Sequence, residues 1–149
     1  MRLFLTVEGQ NATNNGLAKI CYELQNQLDF ITNKNRCLES VDNYGKEFEL
    51  ISIIPSCVSE ELWNALGWKE RVQIWRKKKE ADVRLRIDYE CFIKANSEEQ
   101  RLMFIDVIIK SIKKVIERSV GDFKGEELIS DIFDVLNVES NDLDKFNII

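Results

Sequence analysis

Between Ser97 and Ser119 the sequence "SEEQRLMFIDVIIKSIKKVIERS" places apolar residues at Met103, Phe104, Ile105, Val107, Ile108, Ile112, Val115 and Ile116. Apolar side chains that return every three or four positions mark a helix with one face laid against a core. Ser97, with Glu98 and Glu99 directly behind it, supplies the start, because acidic side chains favour the partly positive end of a helix. A helix of about six turns cannot leave that stripe in water, so the rest of the chain must provide a surface to cover it.

Alternating segments provide it. Leu3, Leu5 and Val7 point one way while Arg2, Phe4, Thr6 and Glu8 point the other, the two-residue period of a half-buried strand. Leu17, Ile20, Cys21, Leu24, Leu28 and Ile31 then mark an amphipathic helix, with Asn14 or Asn15 as its N-cap. A polar, turn-rich stretch from Asn33 to Lys46 leads into "EFELISII", a second strand expected to stop at Pro55. "SEELWNALG" predicts a short helix, followed by strands over Arg71 to Lys77 and Asp82 to Phe92. Leu128, Ile129, Ile132, Phe133 and Leu136 share a face of a helix from Gly125 to Leu136, and a polar tail follows from about residue 138. The order βαβ(α)ββαα predicts one α+β domain over residues 1–149, with a mainly antiparallel sheet of about four strands and helices packed on one face.

Several functions are excluded before any site is considered. The chain has no histidine, which removes Ser-His-Asp and Cys-His catalysis and the side chain that most readily exchanges protons near neutrality. Cys21, Cys37, Cys57 and Cys91 form no close pair, so a zinc site is not expected. There is no P-loop, D-x-D or Gly-rich phosphate signature. The expectation is therefore a protein that is not an enzyme and needs no metal or other cofactor. No run of about 18 apolar residues occurs, and Glu8 interrupts the N-terminus before a signal-peptide core could form, which points to the cytoplasm and away from membranes.

The segment "RVQIWRKKKEADVRLRIDYE", residues 71–90, holds seven of the 21 basic residues in a chain of net charge −5. On a hairpin, Val72 and Ile74 would face inward with Val83, Leu85, Ile87 and Tyr89. Arg71, Gln73, Trp75 and Lys77 would then lie outside with Arg84, Arg86, Asp88 and Glu90. Such a face could grip phosphates and stack a base on Trp75, or simply be solvated. Charge distribution argues against direct nucleic-acid binding. Residues 1–70 carry 6 basic and 10 acidic groups, residues 71–119 carry 13 and 8, and residues 120–149 carry 2 and 8. The whole-chain pI near 4.9 is the opposite of a nucleic-acid footprint. The acidic last third favours a basic protein partner instead, with Glu126, Glu127, Asp131 and Asp134 as the candidate contacts and Trp75, Arg84 and Arg86 as the alternative surface.

The segments "MRLFLTVEG", "YGKEFELISIIPSCV", "WKERVQIWRKKKEADVRLRIDYECF" and "RLMFIDVIIKSIKKVIERS" together resemble the small bacterial immunity proteins of polymorphic-toxin and contact-dependent growth inhibition systems. The resemblance is nearest to immunity protein 44 and covers about residues 1 to 120. It implies a cytoplasmic protein that binds and neutralises the C-terminal domain of one cognate toxin, a basic domain and often a nuclease. An acidic adaptor domain without a toxin partner fits the composition equally well.

Overall fold

The alternation at the N-terminus resolves into a strand whose Leu3 and Leu5 are buried and whose Arg2 and Phe4 are exposed. The computed structural model describes residues 1–9, 15–33, 44–67 and 71–146. Along the chain run β1 (Arg2–Leu5), β2 (Glu8–Gly9), α1 (Asn15–Asn33), β3 (Leu50–Val58), α2 (Glu60–Ala65), β4 (Arg71–Trp75) and β5 (Glu80–Asp88). They are followed by α3 (Tyr89–Lys94), α4 (Ser97–Arg118), α5 (Gly125–Leu136), α6 (Ser140–Leu143) and a 3-10 turn, Asp144–Phe146. Of the two N-cap candidates, Asn15 is the first residue of α1, while Asn14, residues 34–43 of the expected loop, and Trp68 lie outside the described residues.

The class is α+β, but the sheet is not mainly antiparallel. It has five strands, ordered β1-β3-β5-β4 with β2 also on β3. β1, β2 and β5 all run parallel to β3, and only the β4–β5 hairpin is antiparallel. The cause is connectivity: α1 carries the chain from β1 back to the starting end of the sheet, so β3 must run the same way. Because β4 lies outside β5, the second arm of the hairpin becomes the parallel neighbour of β3. Alternation of side chains is blind to this difference.

Leu3, Leu5, Ile51, Ile53, Ala81 and Val83 form the covered face of the sheet. α1 lies on β1, α4 lies on β5 and β3, and α5 packs against both helices. Phe104, Ile105, Ile108 and Ile112 on α4 are fully buried, as the spacing required. The opposite face carries Phe4, Ser52, Ile54, Asp82 and Arg84, none of them buried, and further along it the buried Ser56.

Three boundaries differ from expectation for identifiable reasons. β3 continues through Pro55 to Val58. The carbonyl of Ile53 accepts from Thr6 N, so Pro55, two residues on, turns its missing donor to the same side. That side is the gap between β1, which ends opposite Ile53, and β2, which begins opposite Ser56, so no ladder bond is lost. β5 stops at Asp88, whose carboxylate accepts from Cys91 N and caps α3, so Tyr89 to Phe92 are helical rather than extended. The expected polar tail instead folds back, with Val138 and Leu143 buried and Lys110 Nζ donating to the carbonyl of Phe146. The α4 cap is Asn96, one residue before Ser97, with its Oδ1 accepting from Glu99 N at 2.8 Å.

One sheet edge is sealed by a side chain. Gln25 Oε1 accepts from Leu5 N at 2.7 Å while its Nε2 donates to Leu3 O at 2.9 Å, so the amide of α1 satisfies the outer edge of β1 as another strand would.

Candidate partner-binding surfaces

α5 is amphipathic: Leu128, Ile132 and Leu136 are buried, and the acidic residues occupy the remaining faces. Gly125 opens the helix where a side chain would not fit, since a Cβ there would lie 2.3 Å from Ile116 Cγ1. Asn137 closes it in the left-handed conformation, φ 54°. Glu126, Glu127 and Asp134 are exposed, and none makes an ion pair among the described residues. Asp131 differs from them. It is half-buried and accepts a 2.6 Å hydrogen bond from the Tyr44 hydroxyl. Burial, followed by that bond and the charges of Asp131 and Glu127, raises the Tyr44 pKa far above its ordinary value. Asp131 therefore ties α5 to the segment that enters β3, and three of the four acidic candidates remain open to a partner.

On the other side of the molecule the hairpin strands face as expected, but β4 ends at Trp75, so that Lys77 lies in the turn, and β5 already begins at Glu80. Val72 and Val83 pair on the inner face, as do Ile74 and Ala81; Arg71 lies across from Arg84 and Trp75 across from Glu80 on the outer face. Trp75 is exposed while Trp63 is half-buried. The charges here have internal partners. Arg84 forms an ion pair with Glu8, whose carboxylate also accepts from the Ser56 hydroxyl at 2.6 Å. Arg86 bonds Asp88 at 2.7 Å and the Val58 carbonyl at 3.1 Å. Ile54, Arg71, Gln73, Asp82 and Arg84 line a shallow hollow between these groups. Burial raises the Asp82 pKa there, with Glu80 adding to it, although Ser52, Arg84 and Arg71 pull the other way.

The hairpin tip is also engaged. Lys79 takes φ 56° to close the turn, and Arg76 reaches both Glu47 and the Arg118 carbonyl at the end of α4. Glu47 additionally accepts from the Ser119 hydroxyl and from Val120 N and Gly121 N. Burial alone would raise the Glu47 pKa, but the hydroxyl, the two amides and Arg76 together hold it below the ordinary value. Of the seven basic residues in this segment, three are thus matched to carboxylates, and the exposed Lys77, Lys78 and Lys79 belong to the turn.

Two residues not singled out by the sequence stand on the outer side of α1: Tyr22 is 69% and Phe30 64% exposed. Both fall off the Leu17, Leu24, Leu28 and Ile31 stripe, and that mismatch is the signal which could have found them. Glu47 had no such signal, because its partners are 29 to 74 residues distant in sequence. Among the described residues no group of three or more His, Cys, Asp or Glu is placed to hold a metal ion, and no helix is long and apolar enough to cross a membrane.

The chain belongs to the Immunity protein 44 family, whose model matches residues 1–138. The match extends past residue 120 and takes in the whole of α5. No curated protein and no solved structure matches the chain.

Proposed function

We propose that this immunity-family protein acts in the cytoplasm as the inhibitor of one cognate toxin, binding the toxin's C-terminal domain one to one and blocking it. The partner is a basic domain, and a nuclease fits that requirement because an enzyme that grips nucleic acid carries positive charge around its active site. No step of catalysis by the immunity protein itself is involved.

The observation that carries the choice of surface is the set of unmatched carboxylates on α5. Glu126, Glu127 and Asp134 have no ion-pair partner among the described residues, whereas Arg84 and Arg86 on the sheet already have theirs. Unmatched charges of one sign steer an oppositely charged partner and speed its encounter. Matched ones must first give up their own contacts. The sheet surface around Trp75, Arg84 and Arg86 is the second choice for this reason, and the whole-chain pI near 4.9 weighs against a nucleic-acid reading of the hairpin.

The test uses the variable C-terminal domain encoded beside this gene. Mixed with the purified immunity protein, it should give a one-to-one complex by light scattering, and co-expression should protect cells from it. Absence of a complex at micromolar concentrations, with toxicity unrelieved, overturns the proposal.

A further inference from the structure

We infer that Tyr22 and Phe30 are the apolar anchors of the partner interface, and that the basic partner presents apolar recesses to receive them beside the cations that meet α5. This rests on the toxin-binding reading above and names the part of the surface that holds the complex together once it has formed.

The inner side of α1 is fully used, with Leu17, Leu24, Leu28 and Ile31 buried. One flank is used too, since Cys21 and Gln25 bond the backbone of β1. Tyr22 and Phe30 remain on the outer side, eight residues and therefore about 12 Å apart along the helix, with the exposed Asn26 between them. α1 packs against α5, so the aromatic pair and the acidic residues belong to the same helical layer. Ile93 on α3 stands singly and needs no explanation, and Leu62 in α2 and Leu66 just after it are less exposed than the α1 pair, at 36% and 46%.

The energetics require anchors of this type. Exposed ion pairs contribute only about 0–1 kcal/mol each, so three carboxylates can speed encounter but cannot hold a long-lived complex. Interfaces concentrate their energy in a few aromatic side chains that become fully desolvated, surrounded by a polar rim. The partner's sign follows from residues 120–149, with 2 basic and 8 acidic groups.

The experiment measures association and dissociation of the full-length protein with the adjacent-gene toxin domain for wild type, Tyr22→Ser, Phe30→Ser, the double variant and the control Ile93→Ser. All three positions are exposed, and circular dichroism checks that the fold is kept. The expected result is dissociation at least about tenfold faster for each α1 single variant and about a hundredfold for the double, with association within about threefold and the control unchanged. Unchanged dissociation in the double variant overturns the inference while leaving the toxin-binding reading intact. Failure of the wild type to bind overturns both. A wild-type dimer that Phe30→Ser converts to monomer, without any change in toxin dissociation, assigns the aromatic pair to self-association and also overturns it.

Discussion

The open face of the sheet and the outer side of α5 are both rich in charge, yet they use it differently. On the sheet, Arg84 is held by Glu8 and Arg86 by Asp88, with Ser56 and the Val58 carbonyl completing the network. On α5 only Asp131 is held, through Tyr44, and the other three carboxylates face solvent without a cation among the described residues. A charge is available to a partner to the extent that its own fold does not already need it. The basic hairpin draws the eye in the sequence, but three of its seven cations are tied to carboxylates, among them the Arg84 and Arg86 that face outward from the sheet; the acidic helix is plainer in sequence, and three of its four carboxylates are open.

That contrast can be broken most forcefully at the base of α5. Gly125→Ala sets a methyl group against the side chains of Ile116 and Phe123, so that these or the helix must shift, an overpacking that should cost about 1–3 kcal/mol. Urea denaturation should show the loss, and a variant as stable as wild type would mean that α5 is not seated as described. A smaller effect is expected from Arg84→Met. It leaves Glu8 with the Ser56 hydroxyl but no cation among the described residues, and side-chain exposures of 18% and 31% place the pair between buried and solvated. About 1 kcal/mol of stability should be lost, whereas Glu126→Gln should remain within about 0.5 kcal/mol. Equal losses in the two variants would erase the distinction between matched and unmatched charge.

Acid titration sharpens the comparison from a third side. The Glu47 pKa is lower in the folded protein than in the unfolded chain, so its contribution is fully present above the unfolded value near 4.3 and disappears as pH falls through the folded value. Asp82 has the opposite sign. Its folded pKa is raised, so the stability it lends is present below its unfolded value near 3.9 and lost as pH rises through the folded one. Glu47→Gln should therefore flatten the loss of stability below about pH 4.3, and Asp82→Asn should be neutral or mildly stabilising at pH 7. Chemical denaturation at pH 3 to 7 checks both, and a Glu47→Gln profile parallel to wild type would contradict the Glu47 network. The smallest expected effect is spectroscopic: acrylamide should quench Trp75 more than Trp63 in single-tryptophan variants, and the reverse order would shift the hairpin register by one residue.

The elements were legible wherever a periodic apolar stripe ran long enough, as in α4 and α5, and wherever alternation met a two-sided environment, as in β1 and the hairpin. Strand direction was not legible, because a parallel and an antiparallel neighbour bury the same alternate residues. Pro55 misled because its effect depends on which side the missing donor faces, and that is set by a gap in the neighbouring strand. Helix α6 escaped notice because Val138 and Leu143 are too sparse to form a stripe. At the candidate surface, the sequence could place four acidic residues on one helix but could not show that Tyr44, 87 residues away from Asp131, engages one of them.

The most direct test of the assignment to α5 is the association rate of the toxin domain as salt is raised, measured for two variants side by side. One reverses Glu126, Glu127 and Asp134 to Lys; the other changes Arg86→Gln on the sheet. The reversal should slow association at low salt by at least about tenfold, within the range of electrostatic steering, and flatten the salt dependence, while Arg86→Gln should stay within about twofold of wild type. An unchanged rate for the α5 reversal, together with a slowed rate for Arg86→Gln, would move the interface to the open face of the sheet.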